Sequence, residues 1–205
     1  MKKIRIGFTG SGGSGKTTML KVVSEKLKIP TIPEGIRSYL KANGISHLRE
    51  LGDEGTIKLQ EEVLSRKIKA ESKFDAFITD RTTLDNAAYA LRWLSRCQEC
   101  QEWLNDYINK CLTYARNYYD IIFFFPCGMF ELEDDGIRSG KFWYQYEIDL
   151  LLKGLMFNTF YQQSHYPAIY VLETISIQER LEEIEEIIKE HLDGRQGTIP
   201  NPFIC

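Results

Sequence analysis

The chain has 205 residues, of which 43% are hydrophobic and 27% are charged, and its formal net charge is −3. This length suits one well-buried α/β domain, and the acidic balance provides no overall attraction to nucleic acid. No basic and apolar leader opens the sequence, and its apolar runs are shorter than the roughly 20 residues that span a bilayer. We therefore expect a cytoplasmic protein without membrane contact, with a single domain over residues 1–193 and a tail over residues 194–205.

The first predicted strand leads into a glycine-rich loop. Ile4, Ile6 and Phe8 form an apolar strand, and residues 10–17 read GSGGSGKT, which fills the pattern G-x-x-x-x-G-K-[ST]. Residues 19–27 then have the apolar spacing of an amphipathic helix. Backbone N–H groups of such a loop can point inward and bind phosphates, and the helix N-terminus favours the same anions. This strand–loop–helix unit therefore predicts nucleotide binding.

The pattern also predicts roles within the loop. Lys16 is expected to reach the β- and γ-phosphates of ATP, and the Thr17 hydroxyl is expected to ligate Mg²⁺. Contacts with the nucleotide are predicted for Gly12, Gly13, Ser14, Gly15, Lys16, Thr17 and Thr18. The pattern leaves the phosphate acceptor open, because hydrolases, switches, motors and kinases all carry it.

Apolar strands and helices alternate along the remainder of the chain. Further strands are predicted at residues 29–32, 74–80, 120–125 and 168–172. Further helices are predicted at residues 35–42, 56–73, 84–95, 99–117, 142–163 and 177–191. Because parallel strands need crossover connections, this order predicts a three-layer α/β/α fold with a five-stranded parallel sheet. Its ligand is expected at the carboxyl ends of the strands, where Glu34, Asp80 and Arg81 follow strands two and three.

Five cysteines occur in the chain, and we expect them to be reduced thiols. Cys97 and Cys100 form a C-x-x-C pair, but no second pair or histidine stands at zinc-binding spacing. Residues 91–118 have a helical pattern throughout, which favours ordinary helix cysteines over a metal or redox site.

Several motifs occur in the order found in the deoxynucleoside kinase and thymidylate kinase superfamily, which the chain resembles. They are the phosphate loop, Ile32-Pro33-Glu34, Leu59-Gln60 and Thr79-Asp80-Arg81. Residues 135–140 (DGIRSG) and the helix after them are similar to the lid and following helix of small AAA-type ATPases related to ribosylnicotinamide kinases. The resemblance spans most of residues 1–173 and implies the strand order 2-3-1-4-5.

The resemblance implies roles for the residues after strands two and three. Glu34 corresponds to the carboxylate that takes the proton from the acceptor hydroxyl. Asp80 corresponds to an acid that supports Mg²⁺ or the acceptor, and Arg81 to an arginine that binds phosphate. Gln60 corresponds to a glutamine that contacts the acceptor base. Nucleoside kinases carry Glu at the position of Asp80 and thymidylate kinases carry Asp, so the acceptor class stays open, as does the choice between Glu34 and Asp80 as general base.

Three further cations are candidates for substrate or transition-state contacts. Arg37 lies three residues after Glu34, within reach of the same acceptor. Within a predicted lid over about residues 131–142, Arg138 lies between two glycines and is expected to close over the phosphates together with Lys141. Lid closure would also exclude water, which competes with the intended acceptor.

Each of these assignments has a plainer alternative. Glu34 and Arg37 could form a solvated ion pair, and Asp80 with Arg81 could belong to a helix cap. Gln60 could face water on an amphipathic helix, and the lid could be an ordinary surface loop. We interpret Asp85 as serving the helix that follows strand three rather than the substrate.

The sequence thus predicts a kinase that transfers the γ-phosphate of ATP, with Mg²⁺, to a nucleoside or nucleotide. One alternative is a polynucleotide kinase acting on a 5′-hydroxyl or a hydroxymethylated base in DNA or RNA, since a strand-two carboxylate followed at i+3 by arginine also resembles phage-type polynucleotide kinases. A second alternative is a regulatory NTPase switch without a small acceptor, although the N-K-x-D motif of GTPases is absent. The oligomeric state stays open, a homodimer included.

Overall fold

The computed structural model describes residues 3–45, 48–130, 142–156 and 167–194, without the side chains of residues 37, 38, 48 and 49. Most of the predicted lid, with Arg138 and Lys141, lies outside the described residues. The tail from residue 195 onward also lies outside the described residues, as do residues 157–163 of the helix predicted at 142–163.

Five short strands form one sheet. They are β1 (Arg5–Thr9), β2 (Thr31–Ile32), β3 (Phe77–Asp80), β4 (Ile121–Phe124) and β5 (Ala168–Val171). All neighbouring strands are parallel, and their order is β2-β3-β1-β4-β5. The parallel sheet and its strand order are therefore confirmed.

Seven α-helices connect or follow the strands. They are α1 (Lys16–Leu27), α2 (Ile36–Ala42), α3 (Gly52–Glu71), α4 (Thr83–Leu94), α5 (Gln101–Tyr118), α6 (Phe142–Gly154) and α7 (Ile177–Leu192), among the described residues. A single 3-10 turn (Leu48–Leu51) precedes α3. No helix in the described ranges combines the length and the apolar character needed to cross a membrane.

The sheet is buried on both faces because its strand residues alternate between two cores. Ile6, Phe8 and Phe123 pack with residues of α1 and α7 on one face. Phe77 and Phe124 pack with residues of α3, α4, α5 and α6 on the other. Such continuous apolar strands are typical of parallel sheets covered by helices on both sides. The three-layer architecture is confirmed.

The structure corrects the prediction for the cysteine pair. Helix α4 ends at Leu94 and α5 begins at Gln101, close to the predicted helix bounds at residues 95 and 99. Residues 95–100 therefore form a turn, where the pattern over residues 91–118 indicated helix throughout. In that turn Cys97 and Cys100 form a disulfide, with their Cα atoms 5.2 Å apart, a spacing within normal disulfide reach. The expectation of reduced thiols is therefore wrong for this pair, whereas Cys111 and Cys127 are free thiols.

Candidate functional site

The loop between β1 and α1 depends on glycine at defined positions. Gly10, Gly13 and Gly15 all have positive φ angles, of 146°, 75° and 85°. A Cβ on Gly10 would lie 2.4 Å from the carbonyl oxygen of Phe125, so this position accepts no side chain. Gly15 is the N-cap of α1, which directs the helix N-terminus into the loop. The backbone thus has the form of an anion-binding loop.

Lys16 lies across this loop and is almost fully buried. Its ammonium donates to the carbonyl oxygen of Ser11 at 2.5 Å and to the hydroxyl of Ser14 at 2.9 Å. The positive charge is therefore held against the loop backbone. Gly13, Thr17 and Thr18 are exposed, so the loop opens to solvent on the side of α1.

Two oxygen-bearing side chains meet beside the loop. The Thr17 hydroxyl donates to the Asp80 carboxylate at 2.9 Å, although the two residues are 63 positions apart. Asp80 ends β3, the neighbour of β1, and the parallel register places it opposite Phe8. Hydroxyl and carboxylate oxygens are the ligands that Mg²⁺ prefers. These two residues could therefore hold a magnesium ion next to the loop.

Arg81 is a buried cation in a left-handed backbone conformation, with φ at 64°. Its Nε lies 2.5 Å from Glu34, and its Nη1 donates to the Gly10 carbonyl at 3.2 Å. Burial by itself opposes the charged form, but the Glu34 carboxylate and then Tyr89 and Asp85 hold the pKa of Arg81 well above its ordinary value. A positive φ in a non-glycine residue is costly and is often retained at functional sites. Arg81 thus brings Glu34 to the edge of the phosphate loop.

Asp85 does more than the sequence indicated. As predicted, it serves α4, where it forms a capping box with Thr82. Its carboxylate also accepts from the Thr9 hydroxyl at 2.6 Å, from the Gly10 N–H at 3.3 Å and from Arg81 Nη1 at 3.1 Å. The i,i+4 spacing from Arg81 could have suggested the last contact, but the contacts with β1 depend on the tertiary structure.

Gln60 is buried, so the alternative that it faces water is wrong. Its side chain and its carbonyl oxygen both accept from the Tyr107 hydroxyl, at 3.3 Å and 2.9 Å. Burial raises the pKa of Tyr107, which therefore stays a neutral hydrogen-bond donor. Asn86 of α4 also bonds to this hydroxyl. Gln60 thus belongs to a buried polar cluster between α3, α4 and α5.

Two further side chains hold the phosphate loop, and no motif of the sequence indicated them. Arg180 of α7 is 1% exposed and donates to the carbonyl oxygens of Thr174 and Ser14. Gln145 of α6 accepts from the N–H of Gly12. Arg180 lies in a helix rich in charged residues and Gln145 in a largely apolar one, and in neither helix does the local pattern indicate a contact with the loop.

The structure therefore brings Lys16, Thr17, Glu34, Asp80 and Arg81 to one edge of the sheet. Arg37 lies in the first turn of α2, but its side chain is outside the described part of the structure. The assembled groups are a glycine-rich loop with a buried lysine, a hydroxyl–carboxylate pair and a carboxylate–guanidinium pair in which the guanidinium is buried. Such groups can neutralise phosphate charge and position an attacking hydroxyl.

Comparison with known proteins agrees with this description. The sequence matches the AAA domain family over residues 5–180. No curated protein has significant sequence similarity to the chain.

Solved structures share the fold at low sequence identity. A deoxyadenosine kinase from M. mycoides with bound dATP has a TM-score of 0.65 at 16% identity, and the match covers 91% of this chain and 100% of that one. NadR in complex with NR has a TM-score of 0.64 at 17% identity, over 92% of this chain and 49% of that one. A thymidylate kinase from Ehrlichia chaffeensis has a TM-score of 0.54 at 18% identity, over 91% and 98%.

At these identities the structural likeness is evidence for the fold alone. The family match covers most of the chain and includes both the phosphate loop and the Asp80-Arg81 pair. The chain therefore belongs to the AAA domain family, and its fold is that of the P-loop nucleoside and nucleotide kinases.

Proposed function

We propose that this protein is a kinase that transfers the γ-phosphate of ATP to a nucleoside or nucleotide. The observation that carries the proposal is the ion pair between Glu34, which is partly buried, and the buried Arg81, which is held against the phosphate loop through the Gly10 carbonyl. A hydrolytic switch needs a phosphate loop, but it needs no carboxylate–guanidinium pair beside that loop to bind an acceptor. This pair therefore favours a kinase over a regulatory NTPase.

The donor nucleotide would bind the loop from Gly12 to Thr18, with Lys16 at its β- and γ-phosphates. Among the structural neighbours, the deoxyadenosine kinase was solved with dATP and NadR with NAD and AMP-PNP, which supports binding of a nucleoside triphosphate or its analogue. Thr17 and Asp80 would hold Mg²⁺, and their bonded oxygens fit a hard cation. When bound, the ion would neutralise charge on the phosphates.

On the acceptor side, Glu34 would take the proton from the attacking hydroxyl, and Arg81 would bind the phosphate. In the structure each group neutralises the other, which stabilises two charges at a largely buried position. An acceptor hydroxyl would replace the guanidinium at Glu34, while the transferring phosphate would engage Arg81. We further propose that Arg37 and Gln60 contact the acceptor.

We extend the proposal to the predicted lid, where Arg138 and Lys141 would meet the charge of the transferring phosphate. A planar guanidinium can bind two phosphate oxygens at once, which suits Arg138 to this role. With Lys16 and Arg81, these residues would complete the set of cations around the γ-phosphate.

A polynucleotide acceptor is the second candidate, because an aromatic surface lies on the helix that contacts the phosphate loop. Phe142, Trp143 and Tyr146 are 45%, 74% and 38% exposed. Their ring centroids lie 5.3 to 5.9 Å apart. Exposed aromatic rings in such a group can stack on the bases of a single strand.

A transfer assay with γ-labelled ATP tests both candidates. The acceptors are deoxynucleosides, ribosylnicotinamide, nucleoside monophosphates, a 5′-hydroxyl oligonucleotide and hydroxymethylated DNA. We expect label in a nucleoside or nucleotide, and no transfer by the Glu34→Gln variant. Label only in the oligonucleotide or DNA would favour the second candidate. Slow ATP hydrolysis that no acceptor stimulates would contradict the kinase proposal.

A further inference from the structure

Helix α6 contacts the phosphate loop through one buried hydrogen bond. The carboxamide oxygen of Gln145 accepts from the N–H of Gly12 at 2.7 Å, across 133 positions of the sequence. Gln145 is 2% exposed, and Gly12 is also buried. The bond therefore lies away from solvent, where its geometry is well defined.

A second bond seats the same helix on the next loop of the sheet. One turn after Gln145, the Asp149 carboxylate accepts from the N–H of Cys127 at 2.8 Å. Cys127 follows β4, the neighbour of β1, so the two bonds join α6 to the loops after two adjacent strands. Residues four positions apart lie on one face of a helix. This face of α6 is therefore seated on the site, whereas Trp143 projects into solvent.

The chemistry of Gln145 suits a position beside phosphates. A carboxamide is uncharged and has an acceptor at one end and two N–H donors at the other. A carboxylate in the same place could accept the same bond, but it would place a negative charge beside a triphosphate.

We propose that Gln145 is a positioning residue for phosphoryl transfer, which couples the seating of α6 to the occupation of the phosphate loop. The proposal rests on the proposed function, because it takes the loop to bind the donor nucleotide. Glycine-rich backbone has several accessible conformations, so a partner of the Gly12 N–H selects among them. Binding of a triphosphate would then be transmitted to α6, and the seating of α6 would in turn affect the affinity for the triphosphate.

Two substitutions test separately the two properties of Gln145 that matter here, its acceptor oxygen and its lack of charge. Gln145→Leu keeps a similar volume and removes the acceptor, and we expect kcat to fall about tenfold or more with less than about a threefold change in the Kd of ADP. Gln145→Glu keeps an acceptor and adds charge, and we expect the Kd of Mg·ATP to rise about tenfold or more, less so at high salt. The matched controls are Gln98→Leu and Gln98→Glu at an exposed turn, which should behave like the wild type.

Trp143 reports on α6 directly. The chain has three tryptophans, so Trp93→Phe with Trp103→Phe leaves Trp143 as the sole indole. Titration with AMP-PNP should change its emission, and Gln145→Leu in this background should abolish the change although calorimetry still detects binding. An unaltered Trp143 response in that variant would overturn the proposal.

The Kd of Mg·ATP for Gln145→Glu is measured without any tryptophan substitution, so it tests the coupling even if the single-tryptophan protein fails to fold. Wild-type affinity for Mg·ATP in Gln145→Glu would overturn the coupling. The two proposals fail separately. A Trp143 response that depends on Gln145, without phosphorylation of any acceptor, would contradict the kinase proposal and support the coupling. Normal phosphate transfer by both Gln145 variants would support the kinase proposal and contradict the coupling.

Discussion

Asp85 provides a quantitative test of how the site is held together. Asp85→Asn keeps the shape of the side chain but replaces one acceptor oxygen by a donor amino group. In one orientation the amino group faces the N–H of Thr82, and in the other it faces the N–H of Gly10 and the guanidinium of Arg81. Every orientation therefore opposes donors to donors in a buried place.

The expected loss follows from these contacts. A charge-assisted hydrogen bond to the buried Arg81 contributes about 2 kcal/mol, and the capping box of α4 contributes about 1 kcal/mol. We therefore expect Asp85→Asn to lower the free energy of unfolding by about 3 kcal/mol, of which the larger part comes from the lost bond to Arg81.

Urea denaturation at 25 °C measures this change, with linear extrapolation to water. The matched control is Asp75→Asn, because Asp75 forms an ion pair with Lys3 in which both side chains are about three-quarters exposed. The control should change the free energy of unfolding by less than about 0.5 kcal/mol. A loss below about 1 kcal/mol for Asp85→Asn would contradict these contributions of Asp85, since the capping box alone accounts for that much.

Three further substitutions test the charges at and below the site. Lys16→Ala should abolish transfer in labelled-ATP assays with unchanged circular dichroism, and more than about a tenth of the wild-type rate would contradict the role of Lys16. Glu34→Gln should lower kcat about 100-fold with ATP affinity unchanged, whereas weaker Mg·ATP binding would indicate that Glu34 and Asp80 exchange roles. Lys67→Met removes the 3.0 Å ion pair of Glu71, whose side chain is 0% exposed. Urea denaturation should show a free energy of unfolding lower by about 3–5 kcal/mol. A loss under about 1 kcal/mol would contradict the importance of that pair.

The phosphate loop was predictable because its backbone conformation requires glycine at particular positions. Gly10 and Gly15 need positive φ angles, and the flanking strand and helix have clear apolar periods, so neighbouring residues alone specify this unit. The five strands were predictable for the same reason, because residues such as Ile122 and Phe123 must be buried on opposite faces. The strand order, by contrast, was implied by a family resemblance and not by the periodicity.

The cysteine pair shows where local pattern is insufficient. Residues 91–118 have helical spacing, yet the chain turns at residues 95–100 and a disulfide forms there. Helix α4 packs on α5, and this packing requires the chain to reverse between them. Tertiary packing routinely overrides such weak local preference.

Local sequence pattern was enough to predict the phosphate loop, the alternation of strands and helices, and the placement of Glu34, Asp80 and Arg81 after strands two and three. The side chains that support these residues depend on the packing of distant elements. Asp85 meets Thr9 across 76 positions, Gln145 meets Gly12 across 133, and Arg180 meets Ser14 across 166. Periodicity specifies which face of an element is buried, but the partner of a buried polar group depends on how the elements pack, and that information is not local.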